Sequence, residues 1–263
     1  MSTVPDDARD AIAEVAASPR LLVALDFDGT LSPLADEPMD ARMLPAARTA
    51  LDALIAAPDT VVALVSGRSL NDLREIAEHD DTSSLLLAAS HGAEFWIPGG
   101  GIVSHEDAPG DVALRDELRA HAETQTASLH GVWIEPKTFG FGVHTRKATP
   151  ADAGEANRLV DALVTAEAPH WRRRTGHNIV EYAFRHEGKD SAIAELRKRT
   201  DASAVLFAGD DVTDEDALRS LGEGDLGVHI GSGPTAATLS VADIPAFAAV
   251  LALLAEERTA ARG

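Results

Sequence analysis

With 263 residues, 45% hydrophobic and 25% charged, the chain has the make-up of a folded protein large enough for one sizeable domain or for a domain carrying an insertion, which argues against wholesale disorder. A formal net charge of -20 speaks against an electrostatic grip on nucleic acid or anionic lipid, because such partners demand clustered Lys and Arg. The lack of cysteine excludes disulfides, thiolate metal sites and cysteine nucleophiles.

In chain order, short apolar runs at Leu21–Leu25, Thr60–Val65 and Leu85–Ala89 read as buried strands, and the stretches Pro45–Ala57 and Leu70–Glu78 carry helical apolar spacing. Gly99–Gly101 marks a loop. The rhythm then changes to a helix at Asp111–Ser128, strands at Val132–Pro136 and Phe139–His144, a helix at Ala151–Glu167, and strands at His170–Arg173 and His177–Phe184. The first pattern returns with a helix at Lys189–Arg199, a strand at Ala204–Ala208, a helix at Asp214–Ser220, a strand at Leu226–Ile230 and a helix at Ile244–Glu256. These elements predict an α/β fold: a Rossmann-like parallel sheet core, residues 1–108 and 185–263, with an inserted α+β (αββαββ) cap domain, residues 109–184. The acidic opening stretch lacks the apolar run of a signal peptide, and Ala246–Ala255 is too short to span a bilayer, so a cytoplasmic protein without membrane or nucleic-acid partners is expected.

Ligands of open parallel sheets bind beyond the carboxyl ends of the strands, so the residues just after each run carry the most weight. Asp26-Phe27-Asp28-Gly29-Thr30 follows the first run and delivers two carboxylates with i,i+2 spacing to one edge. One can attack phosphorus while the other protonates the leaving oxygen and then activates water. A plain Asp–Gly turn is the competing reading, since both residues favour turns. Ser66-Gly67-Arg68 closes the second run, where a hydroxyl, free N–H groups and a guanidinium can meet a phosphate; taken alone, a helix N-cap by Ser66 or Ser69 explains it better, and the company of Asp26 gives it its interest. Gly209-Asp210-Asp211-Val212-Thr213-Asp214-Glu215-Asp216 ends the late strand with a carboxylate cluster that needs a cation or a helix N-terminus to hold it. Mg²⁺ suits it, with Asp26, Asp210 and the backbone oxygen of Asp28 as ligands, while Glu215 and Asp216 read as an acidic first helical turn. Lys189 opens the helix after the insertion, where an ammonium can neutralise nucleophile and phosphate.

In this order, D-x-D-G-T, S-G-R, a lysine and G-D-D-x-T-D-E resemble the four motifs of the haloacid dehalogenase-like phosphatases with a C2-type cap. The resemblance implies Asp26 as nucleophile, Asp28 as general acid/base, Ser66, Gly67, Arg68 and Lys189 as phosphate binders, Asp26, Asp28 and Asp210 as Mg²⁺ ligands, and Thr30, Asp211 and Asp214 in support. More closely, Leu25–Leu34, Ser66-Gly67-Arg68, His91-Gly92-Ala93-Glu94 and Gly209–Asp216 resemble the trehalose-6-phosphate phosphatases. That likeness implies sugar contacts from Glu135 and Lys137 of an E-x-K motif, from Glu181, and from His91 and Gly92, with a monomer acting on a small sugar phosphate. If Lys137-Thr138 is a two-residue hairpin turn, Glu135 faces Gly140 and Trp133 faces Gly142, leaving room for a ligand. Phe27 stands where that family often has tyrosine, Thr145 where an aromatic often follows the cap histidine, and Asp190 where a glycine often follows the lysine. The alternatives are another capped sugar phosphatase, of the sucrose-phosphate or mannosyl-3-phosphoglycerate type, and a non-catalytic sugar-phosphate sensor.

Overall fold

The structure is a computed structural model that describes residues 6–262 except 105 and 177. It divides into two compact units, Met1–Ser104 with Glu187–Gly263, and His105–His186. In the first, strands β1 (Leu21–Leu25), β2 (Thr60–Val65) and β3 (Leu86–Ala89) are joined by a hairpin of β4 (Glu94–Ile97) and β5 (Gly101–Ser104). Strands β10 (Ala204–Gly209), β11 (Leu226–Ile230) and β12 (Leu239–Val241) complete an eight-stranded sheet of order β12-β11-β10-β1-β2-β3-β4-β5. The first six strands in that order run parallel; β4 and β5 are antiparallel.

The central strands are apolar at every position because both faces are covered. Leu21, Val23 and Leu25 pack with residues of helices α1 (Asp6–Ala16), α2 (Pro45–Ala56), α3 (Leu70–Ile76) and α8 (Ile244–Arg262). Leu22 and Ala24 pack on the other face with α6 (Lys189–Thr200) and α7 (Glu215–Ser220). Burial on both sides removes the alternation of a half-exposed strand, so the runs stand out in the sequence. The β4–β5 hairpin and β12 carry no such run and were not anticipated; the Gly99–Gly101 loop lies at the turn of that hairpin, with Gly101 opening β5.

The second unit is a four-stranded antiparallel sheet of order β6-β7-β9-β8, made of β6 (Trp133–Lys137), β7 (Gly140–His144), β8 (Arg172–Gly176) and β9 (Ile179–Ala183), with helices α4 (Pro109–Thr126) and α5 (Pro150–Glu167). Phe141, Val143, Val180 and Tyr182 are buried from its central strands, with Leu118 and Ala122 of α4 and Val160 and Leu163 of α5 buried in the same unit. The hairpin register corrects the expectation. Lys137 stays in the ladder opposite Gly140, so Thr138-Phe139 forms the turn, Glu135 faces Gly142, and Trp133 faces His144. The reason is Phe139, which is buried edge-on against Phe184 and so closes the turn one residue later. A shift of two residues keeps each side chain on its expected face. Strand β8 begins two residues later than expected, because three successive arginines show no apolar alternation and only pairing with β9 fixes its limits. His177, the first residue of the expected last strand, lies outside the described residues.

Arg258, fully buried on α8, ties the first unit together. Its guanidinium donates to the carbonyls of Ala16 at 2.7 Å and Asp59 at 2.7 Å, to the carbonyl of Ser18, and to Thr60 Oγ1 at 3.0 Å. It thereby gives donors to the carbonyls that close α1 and the turn after it, and adds a second donor to the Asp59 carbonyl, which also accepts the Leu21 N–H at 3.0 Å. Truncation takes these guanidinium donors away, so Arg258→Ala is expected to cost at least about 3 kcal/mol in urea unfolding.

Candidate active site

The turn after β1 is built so that alternate residues part company. Phe27 is fully buried in the core, while Asp26 and Asp28 on either side of it serve the sheet edge. Gly29 adopts φ +79°, and a Cβ there would lie 2.0 Å from the Asp210 carboxylate, so glycine is required for the end of β10 to come this close. Thr30, fully buried, lies 3.4 Å through its hydroxyl from Asp26 Oδ2 and 3.4 Å from Asp210 Oδ1.

Lys189, the first residue of α6, is the buried cation of the cluster. Its Nζ donates to Asp26 Oδ1 at 2.7 Å and to Asp214 Oδ1 at 2.6 Å. Asp214 is fully buried and also accepts from the backbone N–H of Asp211 at 3.0 Å. Gly209 makes room for it, because a Cβ would fall 2.2 Å from the Asp214 carboxyl carbon. Asp211 is positioned by its neighbours, taking the N–H of Val212 at 2.7 Å.

Ser66, Gly67 and Arg68 leave β2 beside these groups. The loop is pinned by Ser90 N–H to Arg68 O at 2.7 Å and by His91 N–H to Ser66 O at 2.9 Å. The His91 ring lies over Gly67, where a Cβ would be 2.7 Å away, and Gly92 abuts Ala192 of α6. His91 and Gly92 therefore brace the loop and the helix start. The Arg68 guanidinium grips Asp28 through two bonds, Nε to Oδ2 at 2.6 Å and the terminal nitrogen to Oδ1 at 2.7 Å, a contact the sequence did not suggest.

Electrostatics single out the same place. Burial, then the charges of Asp214 and Asp210, push Asp26 well above the usual carboxylate range despite Lys189. Burial and Asp214 likewise push Asp210 up to about 7. Lys189 moves the other way: burial disfavours its charge, but the carboxylates of Asp214 and Asp26 outweigh that and raise it. Carboxylate oxygens of Asp26, Asp210 and Asp214 all lie within 4.8 Å of one another. Three hard-oxygen donors facing one ammonium leave uncompensated negative charge, which is what a divalent cation relieves, so the residues fit Mg²⁺. The carboxylate of Asp28 stays on Arg68, leaving its backbone oxygen as the expected contribution to that ion. Glu215 and Asp216 form the acidic first turn of α7 as expected, and Glu215 is in addition buried and accepts the Ala236 N–H at 2.9 Å, tying α7 to the loop before β12.

In the second unit, Glu135, Lys137 and Glu181 share one sheet face. Lys137 Nζ lies 2.8 Å from Glu135 Oε2 and 3.5 Å from Glu181 Oε1. His144 Nε2 lies 2.6 Å from Glu135 Oε2, with its ring stacked on that of Trp133 at 4.5 Å. Burial pushes the Glu135 carboxyl up, but His144 and Lys137 outweigh it and hold it down at about 2. Gly142 sits between Glu135 and Glu181 in the ladder. His144 and Trp133 were not singled out as site residues; the signal was parity, Trp133 standing two residues before Glu135 on β6 and His144 two after Gly142, the partner of Glu135, on β7.

This sheet, with its inserted unit and acid-lined edge, is the haloacid dehalogenase-like fold. The profile of the trehalose-phosphatase family matches residues 24–244, and the chain belongs to that family. It is 33% identical over 265 residues to the trehalose-phosphate phosphatase of Mycobacterium avium, an alignment covering 95% of this chain and 66% of the relative. The chain spans between 54% and 66% of the length of the first curated relatives. Among solved structures, the C-terminal domain of Candida albicans trehalose-6-phosphate phosphatase superposes with a TM-score of 0.81 at 21% identity, covering 97% of this chain and 98% of that one. The C-terminal domain of the Candida albicans trehalose synthase regulatory protein has a TM-score of 0.70 at 17% identity, with 94% and 97% covered.

The raised carboxyls give a pH test with a definite sign. Between 3.8 and about 7 the unfolded chain has released the Asp210 proton while the native, metal-free protein retains it. The native state then binds more protons, and stability falls as pH rises through that window. Asp210→Asn removes the effect, so urea unfolding of metal-free protein at pH 5 and pH 7 should show a smaller decline for the variant than for the wild type.

Proposed function

We propose that the chain is a trehalose-6-phosphate phosphatase that hydrolyses its substrate to trehalose and phosphate in a Mg²⁺-dependent reaction, through an aspartyl-phosphate on Asp26. The observation that carries this reading is the buried Asp26 held by Lys189 at 2.7 Å, with Asp210 and Asp214 within 4.8 Å, where β1 and β10 end side by side.

Asp26 attacks phosphorus, the bond to the sugar oxygen breaks, and Asp28 gives that oxygen its proton. Asp28 then takes a proton from water as it attacks the acyl phosphate, which frees phosphate and restores Asp26. Lys189 offsets negative charge on Asp26 and on the phosphoryl oxygens in both steps, and Ser66 with the Gly67 backbone holds those oxygens. Asp26, Asp210 and the backbone oxygen of Asp28 would hold Mg²⁺, which when bound supplies positive charge against the phosphate. Thr30, Asp211 and Asp214 keep the donors in place. Glu135, Lys137 and Glu181 take the sugar hydroxyls, with carboxylates as acceptors and the ammonium as donor.

A sensor that binds sugar phosphate without turnover is the second reading, favoured by the fold shared with the regulatory protein's domain. Fold alone does not decide between them; the acid/base beside the nucleophile favours the enzyme. Asp26→Asn should abolish phosphate release in a protein that still unfolds cooperatively, and chelation of Mg²⁺ should abolish it reversibly. In a panel of sugar phosphates, trehalose 6-phosphate should lead in kcat/KM; a better sucrose phosphate or mannosyl-3-phosphoglycerate would reassign the substrate. Glu135→Ala should lower kcat/KM for trehalose 6-phosphate by about tenfold or more, and leave p-nitrophenyl phosphate, which has no sugar, unaffected.

A further inference from the structure

The loop that carries Arg68 is fixed with unusual completeness. Its carbonyl accepts from Ser90 at 2.7 Å, its N–H donates to Ser66 Oγ at 3.2 Å, and the preceding glycine is overlain by the His91 ring. From this anchored backbone the guanidinium reaches sideways to the neighbouring strand's loop. It engages both oxygens of Asp28 at 2.6 and 2.7 Å, with side chains only 16% and 27% exposed. A planar fork on a carboxylate fixes direction as well as distance.

We propose that Arg68 is a positioning residue for the acid/base Asp28, in place of the phosphate contact expected of it. This rests on the phosphatase reading above. The chain has use for such a device because Asp28 directly precedes Gly29, whose φ is +79°, and stands outside the group of Asp26, Asp210 and Asp214. Arg68 holds the Asp28 carboxyl through both oxygens; the proton that Asp28 takes from water in one turnover replaces one of these two bonds, and the remaining bond aims the resulting O–H at the leaving oxygen of the next.

The two roles separate by leaving group. A sugar alkoxide needs a proton as it departs, whereas p-nitrophenolate does not, and both substrates present the same phosphoryl group. Because kcat/KM reports events up to the first irreversible step, it isolates leaving-group departure from hydrolysis of the intermediate. Arg68→Ala is expected to lower kcat/KM at least about 100-fold with trehalose 6-phosphate while p-nitrophenyl phosphate stays within about threefold. Arg68→Lys, which keeps the charge but lacks the fork, should show the same selectivity with a smaller loss, and it carries the test if the alanine variant does not melt cooperatively. Equal losses on both substrates would mean that Arg68 binds phosphate, and a gain on either would mean that it restrains Asp28 unproductively; each overturns the proposal. Wild-type protein inactive on both substrates, or Asp26→Asn active on either, would instead overturn the phosphatase reading itself.

Discussion

The active core is organised by one buried ammonium. Taking Lys189 out of water costs several kcal/mol, and only close, well-directed partners offset that. Asp26 and Asp214 supply them at 2.7 and 2.6 Å. Their approach sets conditions on the backbone: Gly209 must lack a Cβ for Asp214 to fit, and Gly29 must lack one for Asp210. The chain leaves the first unit after Ser104 and re-enters it at Glu187, two residues before this lysine. The insertion is thus bounded on one side by the charge that holds Asp26, the proposed nucleophile.

Two aspartates separated by one residue meet opposite surroundings. Asp26 is almost wholly buried, paired with a lysine and crowded by other carboxylates, which drives it above the ordinary range. Asp28 is partly exposed and held by both oxygens on the Arg68 guanidinium. Phe27, anchored in the core, is the wedge that sends its neighbours to separate partners. Such divergence of environment supports the separate roles proposed for Asp26 and Asp28.

The second unit solves a different problem with the same elementary parts. Its sheet buries aromatic and aliphatic side chains on one face and gathers Glu135, Lys137, Glu181 and His144 on the other. Mutual pairing keeps Glu135 ionised down to about 2. A face of charged hydrogen-bonding groups over a glycine suits a hydroxyl-rich ligand, as the trehalose-phosphatase family membership leads one to expect.

The strands of the parallel core were legible because burial on both faces writes them as unbroken apolar runs, and the site was legible because its residues follow directly on those runs. The β4–β5 hairpin, β12 and the limits of β8 were not, since edge and half-exposed strands acquire their definition from a pairing partner distant in the chain. Local order likewise announced Asp26, Asp28, Ser66, Lys189 and Asp210 as a group. It could not show that the Asp28 carboxylate belongs to Arg68, that Asp214 belongs to Lys189, that Glu215 caps the Ala236 N–H, or that Phe139 moves the cap turn by one residue. A strand's hydrophobicity is set by its own residues, whereas an ion pair is decided by which two surfaces the folded chain brings within 3 Å; the sequence by itself determined the first, and only the tertiary structure the second.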